Sequence, residues 1–528
     1  MKTFEVLCLI LYVLCASVFC AAKTMCAAES SLQLPSVFSD HMVIQARKPV
    51  SIWGKSSDGE AIVVEFAGQT KSTTANASGE WQLKLDPLAP SNESRELRIQ
   101  STIIKDVFVG EVWLASGQSN MEMQLKDKSH GLVDNSEAEI ENAKHPEIRF
   151  FMVDQSYSIY DLSVPPDVAS RYRSGKWVVC SPESAASFSA MGYFFARDLL
   201  AEIKQPIGII TAAVGGTPIE SWMSLSSQSA VTEFKLLHDD WSRRLGDFVP
   251  EKEQQRFLEA KTRWLKQRSD AVKAGQSVPK APLAFKNIAV MKPGGLFNGL
   301  IAPLIPYTMR GVIWYQGERN AAGPFTGLYG LQLRTLISNW RMLWNDDLHF
   351  AWVQLPAFQS EQKFPSEPNG WGVAVRDEMR RTLAVPHTSM AITIDLGGEK
   401  NGHPTNKADY AKRLSTVVLH DVYQKPINLP TGPLFKVATT SDSKMIVTFD
   451  FADGLKANSG ELEGFAIAGA DMKFVWANAK IKNDQVVVWS DKILAPQAVR
   501  YSWAGNPKGN LVNAAELPAS PFRTDDWQ

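Results

Sequence analysis

The chain has 528 residues, 55 Lys and Arg against 56 Asp and Glu, with 45% hydrophobic, 10% aromatic and 21% charged residues, a globular composition with room for roughly three domains. A formal net charge of -1 removes the electrostatic case for a nucleic acid or an anionic membrane as partner, since both require a basic excess. Neutral partners fit better, and 34 Gly and 29 Pro are too close to average usage for a fibrous or disordered chain.

At the start of the chain, Lys2 is followed by an apolar run over residues 6–19. Small residues then come around Cys20-Ala21-Ala22 and Cys26-Ala27-Ala28. This is the order of a secretory signal and its cleavage site, and the run is too short to span a bilayer comfortably. A signal peptide is therefore expected over residues 1–28. The mature protein is expected to be exported to a periplasm, the cell exterior or an endomembrane lumen, with no membrane association after cleavage. Four of the five cysteines lie in the first 26 residues. After cleavage Cys180 has no intrachain partner, so core burial must hold the fold.

Residues 29–105 read as a small β-sandwich-like domain. In Glu80-Trp81-Gln82-Leu83-Lys84-Leu85 apolar and polar positions alternate, which puts one face on a core and one in water. Residues 106–430 differ: the apolar runs 107–114, 207–214, 311–314, 349–355 and 390–396 lack alternation, as strands covered on both faces do. Helical spacing appears between them over 188–203 and 328–343. The region is predicted to be an α/β layer with a parallel sheet covered by helices and a charged helical insertion at about 228–280. Residues 431–528 return to short strands, a second β domain.

Ligands in such sheets sit beyond the carboxyl ends of the strands, and four predicted strand ends carry chemistry. The first is Ser116-Gly117-Gln118-Ser119-Asn120-Met121. A serine just past a strand has its hydroxyl lifted over the sheet, and its own N–H can face a developing oxyanion. The α/β-hydrolase elbow Gly-x-Ser-x-Gly is not formed, because Met121 occupies its last position. After 207–214 come Gly215 and Gly216, whose bare backbone can offer an N–H to an oxyanion. After 311–314, Gln316 and Asn320 each carry a side-chain amide suited to the same task. After 390–396 comes His403, the best general base among the eight histidines, since it alone follows a predicted end of this sheet by a short loop.

Four blocks, Ser116-Gly117-Gln118-Ser119-Asn120-Met121-Glu122, Gly215-Gly216-Thr217-Pro218-Ile219-Glu220-Ser221-Trp222, Trp314-Tyr315-Gln316-Gly317-Glu318-Arg319-Asn320 and His403-Pro404-Thr405-Asn406-Lys407, resemble in order the motifs of the sialate O-acetylesterase family. That family belongs to the SGNH hydrolases. The resemblance spans nearly the whole mature chain, from Met42-Val43-Ile44-Gln45 to Pro521-Phe522-Arg523-Thr524-Asp525. It implies an SGNH-like fold and an esterase that removes O-acetyl groups from sugars, with Ser119 as nucleophile and His403 as base. The Ser119 N–H, a glycine of the 215–216 pair and the amide of Gln316 or Asn320 would hold the oxyanion, Gln316 being nearer the strand end. The family places an aspartate two residues before the histidine, where this chain has Asn401. Either the pair works as a dyad with Asn401 orienting the ring, or Asp395 or Glu399 reaches it.

Trp222, among 16 tryptophans, is the candidate for stacking on a sugar, and Glu318 a second substrate contact. The main expectation is a secreted carbohydrate acetylesterase acting on sialic acid or an acetylated polysaccharide such as xylan. The alternatives are a catalytically silent carbohydrate-binding protein on the same scaffold and a lipase or thioesterase, which would need an apolar groove. No Cys or His cluster has metal-ligand spacing and no glycine-rich loop has a phosphate pattern, so no metal and no cofactor are expected.

Overall fold

The central sheet is ordered Thr388–Ala391, His349–Val353, Gly311–Tyr315, Thr102–Gly117, Ile207–Ala213, His145–Met152 and Trp177–Cys180. It belongs to a computed structural model that describes residues 32–126, 131–153, 175–247, 249–274, 276, 291–400 and 402–527. The expected signal peptide lies outside the described residues. Neighbouring strands run parallel along the path except at the last pair, which is antiparallel. Every residue of Ile207–Ala213, Gly311–Tyr315 and His349–Val353 is buried. Successive side chains of a strand point to opposite faces, so both faces are covered, which is why these runs show no alternation.

Helices expected from the apolar spacing form at Ala190–Ile203 and Tyr329–Trp344. The first opens at Ser189, whose hydroxyl accepts the Gly192 N–H, satisfying a donor that has no partner inside the helix. Phe195 from this helix meets Trp113 edge-on, with centroids 5.4 Å apart, and Trp340 packs on Phe350. The charged insertion contains the helices Lys235–Gly246 and Pro250–Lys273, and the short helix Leu225–Ser229 leads into it.

The strand Thr102–Gly117 runs straight through the boundary expected near residue 105. Its first half pairs with Val43–Gln45 and Ser91–Ile99, its second half with the α/β strands. One hydrophobic core accordingly holds Ile44, Leu97, Trp113 and Trp352 together. The final segment has its own core, including Val447, Phe465, Val488, Val499 and Phe522, between the sheet ordered Leu434–Ser441, Lys444–Asp450, Gln485–Trp489, Asn478–Lys482 and the sheet that contains Phe465–Ala468 and Ala498–Tyr501.

Candidate active site

The strands on one side of Thr102–Gly117 come from residues 145–213 and those on the other from residues 311–391, so the connections diverge there, where open α/β sheets place their ligands. The register brings the carboxyl ends level: Gly117 lies opposite both Ala213 and Tyr315. Gly117 has φ +139°, and a Cβ there would stand 2.1 Å from the Tyr315 carbonyl oxygen. Only glycine fits this close approach. The chain then turns, Gln118 N–H donating to Tyr315 O at 3.0 Å, and Ser119 opens the single helical turn Ser119–Glu122.

His403 lies on the loop between the strand Thr388–Ala391 and the helix Lys407–Asp421. That helix is capped by Asn406, whose side chain accepts the Asp409 N–H. The loop brings the imidazole Nε2 to 2.8 Å from the Ser119 hydroxyl oxygen. Ser119 is 5% exposed. A hydroxyl hydrogen-bonded to an imidazole nitrogen is the geometry of a nucleophile beside its base.

Gly215 packs against the serine: a Cβ on it would lie 3.2 Å from Ser119 Cβ. Its N–H donates to Glu122 Oε2 at 2.7 Å, so this N–H is already engaged. Gly216 has φ +70°, a left-handed turn that favours glycine.

The two candidate amides lie in a buried polar network. Gln316 is fully buried. Its Nε2 donates to Asn320 Oδ1 at 2.8 Å and to Thr217 O at 3.0 Å, and its Oε1 accepts from the Tyr329 hydroxyl. An amide has only two N–H bonds, so the expected leading candidate for the oxyanion is instead a strut between strand ends. Asn320 is 7% exposed; its Oδ1 also accepts the Ile219 N–H, and its Nδ2 donates to Glu220 Oε2 at 3.2 Å and, long, to Gln332 Oε1 at 3.5 Å.

Two expected substrate contacts are corrected. Trp222 is completely buried, its indole N–H donating to Thr217 Oγ1 and its ring edge-on to Trp314, so it belongs to the core and offers no face to a sugar. The Glu318 carboxylate turns inward and accepts from Asn120 Nδ2 at 2.5 Å, and Oε2 is buried. Burial raises its pKa, opposed by the Asn120 bond. Of the candidates for orienting His403, Asn401 lies outside the described residues. Both oxygens of Asp395 pair with Arg413, at 2.5 and 2.7 Å, which commits that carboxylate elsewhere. Glu399 lines a cleft against the C-terminal segment, together with Glu361 and Trp476.

Asn120, Glu122, Glu220 and Lys407 also belong to the site's hydrogen-bond network, although spacing in the sequence does not single them out. Asn120 and Lys407 are both wholly buried, and Lys407 Nζ donates to Asn120 Oδ1 at 2.6 Å. Burial pushes the Lys407 ammonium down to about 7. The signal was present: a lysine and an asparagine inside the same short blocks that carry the serine and histidine.

A family model described as carbohydrate esterase, sialic acid-specific acetylesterase, matches residues 109–239. A crystal structure of a carbohydrate acetylesterase from Xanthomonas citri superposes with a TM-score of 0.74 at 34% identity, covering 94% of this chain and 100% of that one. The chain belongs to the sialate O-acetylesterase family. The sialate O-acetylesterase of Rattus norvegicus is 25% identical over 95% of this chain and 96% of its own length. That of Homo sapiens is 27% identical over 94% and 93%. This family member is a carboxylic ester hydrolase with a mixed α/β architecture and added C-terminal β sheets.

Proposed function

We propose that this esterase removes O-acetyl groups from sugars through an acetyl-enzyme formed on Ser119. The observation that carries the reading is the 2.8 Å contact between Ser119 Oγ and His403 Nε2 at the carboxyl ends of the sheet. The names of the relatives support the sugar ester as substrate class.

In the first half-reaction Ser119 Oγ attacks the acetyl carbonyl carbon while His403 Nε2 takes the hydroxyl proton. The tetrahedral intermediate collapses, the C–O bond to the sugar breaks, and the proton passes from His403 to the departing sugar oxygen. In the second half-reaction His403 deprotonates water, which attacks the acetyl-enzyme; the proton returns to Ser119 Oγ and acetate leaves. The Ser119 N–H and the Gly216 N–H are the backbone donors assigned to the oxyanion, since the Gly215 N–H is held by Glu122. Asn320 Nδ2 is also engaged, but its bonds of 3.2 and 3.5 Å are longer than the 2.8 and 3.0 Å bonds of Gln316 Nε2, so Asn320 is assigned as the side-chain donor. The loss of one such donor typically costs about 2.7–4 kcal/mol of transition-state stabilisation.

The SGNH assignment rests on the order of the four motif blocks, and export on the signal-like residues 1–28. An acetylated sialic acid and an acetylated polysaccharide such as xylan are the two substrate types in view. Ser119→Ala and His403→Ala are expected to abolish acetate release from p-nitrophenyl acetate and from both acetylated sugars while the melting temperature is kept. Full activity in Ser119→Ala would remove the acetyl-enzyme. A wild-type protein that binds sugar but releases no acetate would favour the silent scaffold instead.

A further inference from the structure

One buried amide joins three segments that are remote in sequence. Asn120 Nδ2 donates to Glu318 Oε1 at 2.5 Å and to the Gly402 carbonyl at 3.1 Å, while its Oδ1 accepts from Lys407 Nζ at 2.6 Å. Asn120 adjoins Ser119, and Gly402 adjoins His403. The amide therefore ties the backbone beside the nucleophile to the backbone beside the base, independently of the hydroxyl–imidazole contact.

An asparagine amide has two senses, related by a half-turn about its last torsion. In the reversed sense its oxygen would face the Glu318 carboxylate and the Gly402 carbonyl, both acceptors, and the tie to Gly402 would be lost. An ammonium has three donors and no acceptor, so Lys407 is compatible only with the observed sense. Its own location is defined by packing. It is the first residue of the helix Lys407–Asp421, and Nζ lies 5.6 Å from the Tyr315 ring centroid and 5.8 Å from that of Tyr410. These two rings are nearly parallel, with centroids 5.9 Å apart, and their faces attract a cation.

We propose that Lys407 is a positioning residue for the deacetylation: by holding Asn120 Oδ1 it keeps the Asn120 amide donating to the Gly402 carbonyl, and so keeps the His403 ring on Ser119. This rests on the reading of Ser119 and His403 as nucleophile and base. Lys407 does not touch the reacting atoms. Its effect belongs to the alignment of the base, and a small misplacement at a reacting centre costs on the order of 10²-fold in rate.

The test compares Lys407→Met with the double variant Lys407→Met/Glu318→Gln. The single change removes the cation whose charge acts on the buried Glu318 carboxylate, so it lowers stability on that ground alone. The double change removes that charge. Both variants are expected to lose kcat on p-nitrophenyl acetate by on the order of 10²-fold with KM within about twofold of wild type, while the double variant regains the melting temperature lost in the single one. Recovery of wild-type kcat together with the melting temperature in the double variant would overturn the proposal, leaving Lys407 as a neutraliser of Glu318. A raised KM at unchanged kcat would overturn it as well. Should the single variant not fold, the double variant carries the comparison. Ser119→Ala measured alongside separates the two readings: if it stays active, the nucleophile assignment fails. If it is inactive while the double variant turns over like wild type, only the role of Lys407 fails.

Discussion

Gly215 shows how much a single atom decides at this site. A Cβ there would press on Ser119 Cβ at 3.2 Å and on Glu122 Oε2 at 2.9 Å. The carboxylate can swing away, but the serine sits on a helical turn anchored by the Met121 and Glu122 N–H groups, which both donate to Gln118 O. Gly215→Ala is thus expected to fold and to lower kcat by about tenfold, through a nucleophile displaced by a few tenths of an ångström; steady-state kinetics beside an unchanged melting temperature would check this. At the same scale, Ser119 and His403 were legible in the sequence because both follow apolar runs whose ends must gather. Sequence pattern alone turns Trp222, Glu318 and Gln316 toward a ligand, whereas in the structure all three face inward. Nothing local distinguishes the two sides of a strand-end loop, and the loop turns the side that fills the space behind the catalytic pair.

At the scale of single elements, the strand His349–Val353 begins with a buried titratable group. His349 is 9% exposed, and its Nε2 lies 2.8 Å from the Ser389 hydroxyl, which in turn donates to Asp421. This chain lies at the opposite ends of the strands from Ser119 and orders the sheet edge. Burial lowers the His349 pKa from 6.5 to about 4. The folded pKa is below the unfolded one, so between these values the unfolded chain binds a proton that the fold refuses. Stability from this group is complete above pH 6.5 and is lost as pH falls toward 4, by about 3 kcal/mol over the window. His349→Asn is expected to remove this component from the acid side of the unfolding profile, and equal slopes for variant and wild type between those pH values would refute the assignment. The runs 207–214, 311–314 and 349–355 supplied buried parallel strands, as their composition requires, whereas in 390–396 the strand Thr388–Ala391 stops early and Ile394–Leu396 forms a 3-10 turn. The antiparallel pair His145–Met152 and Trp177–Cys180 was not foreseen. His145–Met152 starts with polar, partly exposed residues, and its partner is remote in sequence, so no local period marks the pairing.

At the scale of the whole molecule, the C-terminal segment reaches the site through Arg376. This guanidinium is fully buried and donates to the carbonyls of Ala504, Gly505, Trp371 and Pro356 at 2.6–3.3 Å. With no carboxylate among those partners, burial lowers its pKa to about 9. Phe358 N–H donates to Gly505 O, and Gly398 N–H donates to Ala357 O, so the loop that leads to His403 rests on residues held by the C-terminal segment. Arg376→Met is expected to cost about 2–4 kcal/mol in unfolding free energy, the worth of a few charge-assisted bonds less the relief of a buried cation. It is also expected to lower kcat at temperatures where the protein is still folded. Wild-type kcat in a destabilised variant would show that the C-terminal segment stabilises the chain without shaping the site. The amino-acid order alone determined the buried parallel strands, the four chemistry-bearing ends and the family, because each depends on residue type and on spacing within a few positions. The tertiary structure decided which amides are occupied, that Trp222 and Glu318 turn inward, that one strand serves two segments, and that Lys407 and Asn120 join nucleophile to base. Those outcomes depend chiefly on packing between segments far apart in the chain, where burial and hydrogen-bond saturation, rather than local pattern, select the arrangement.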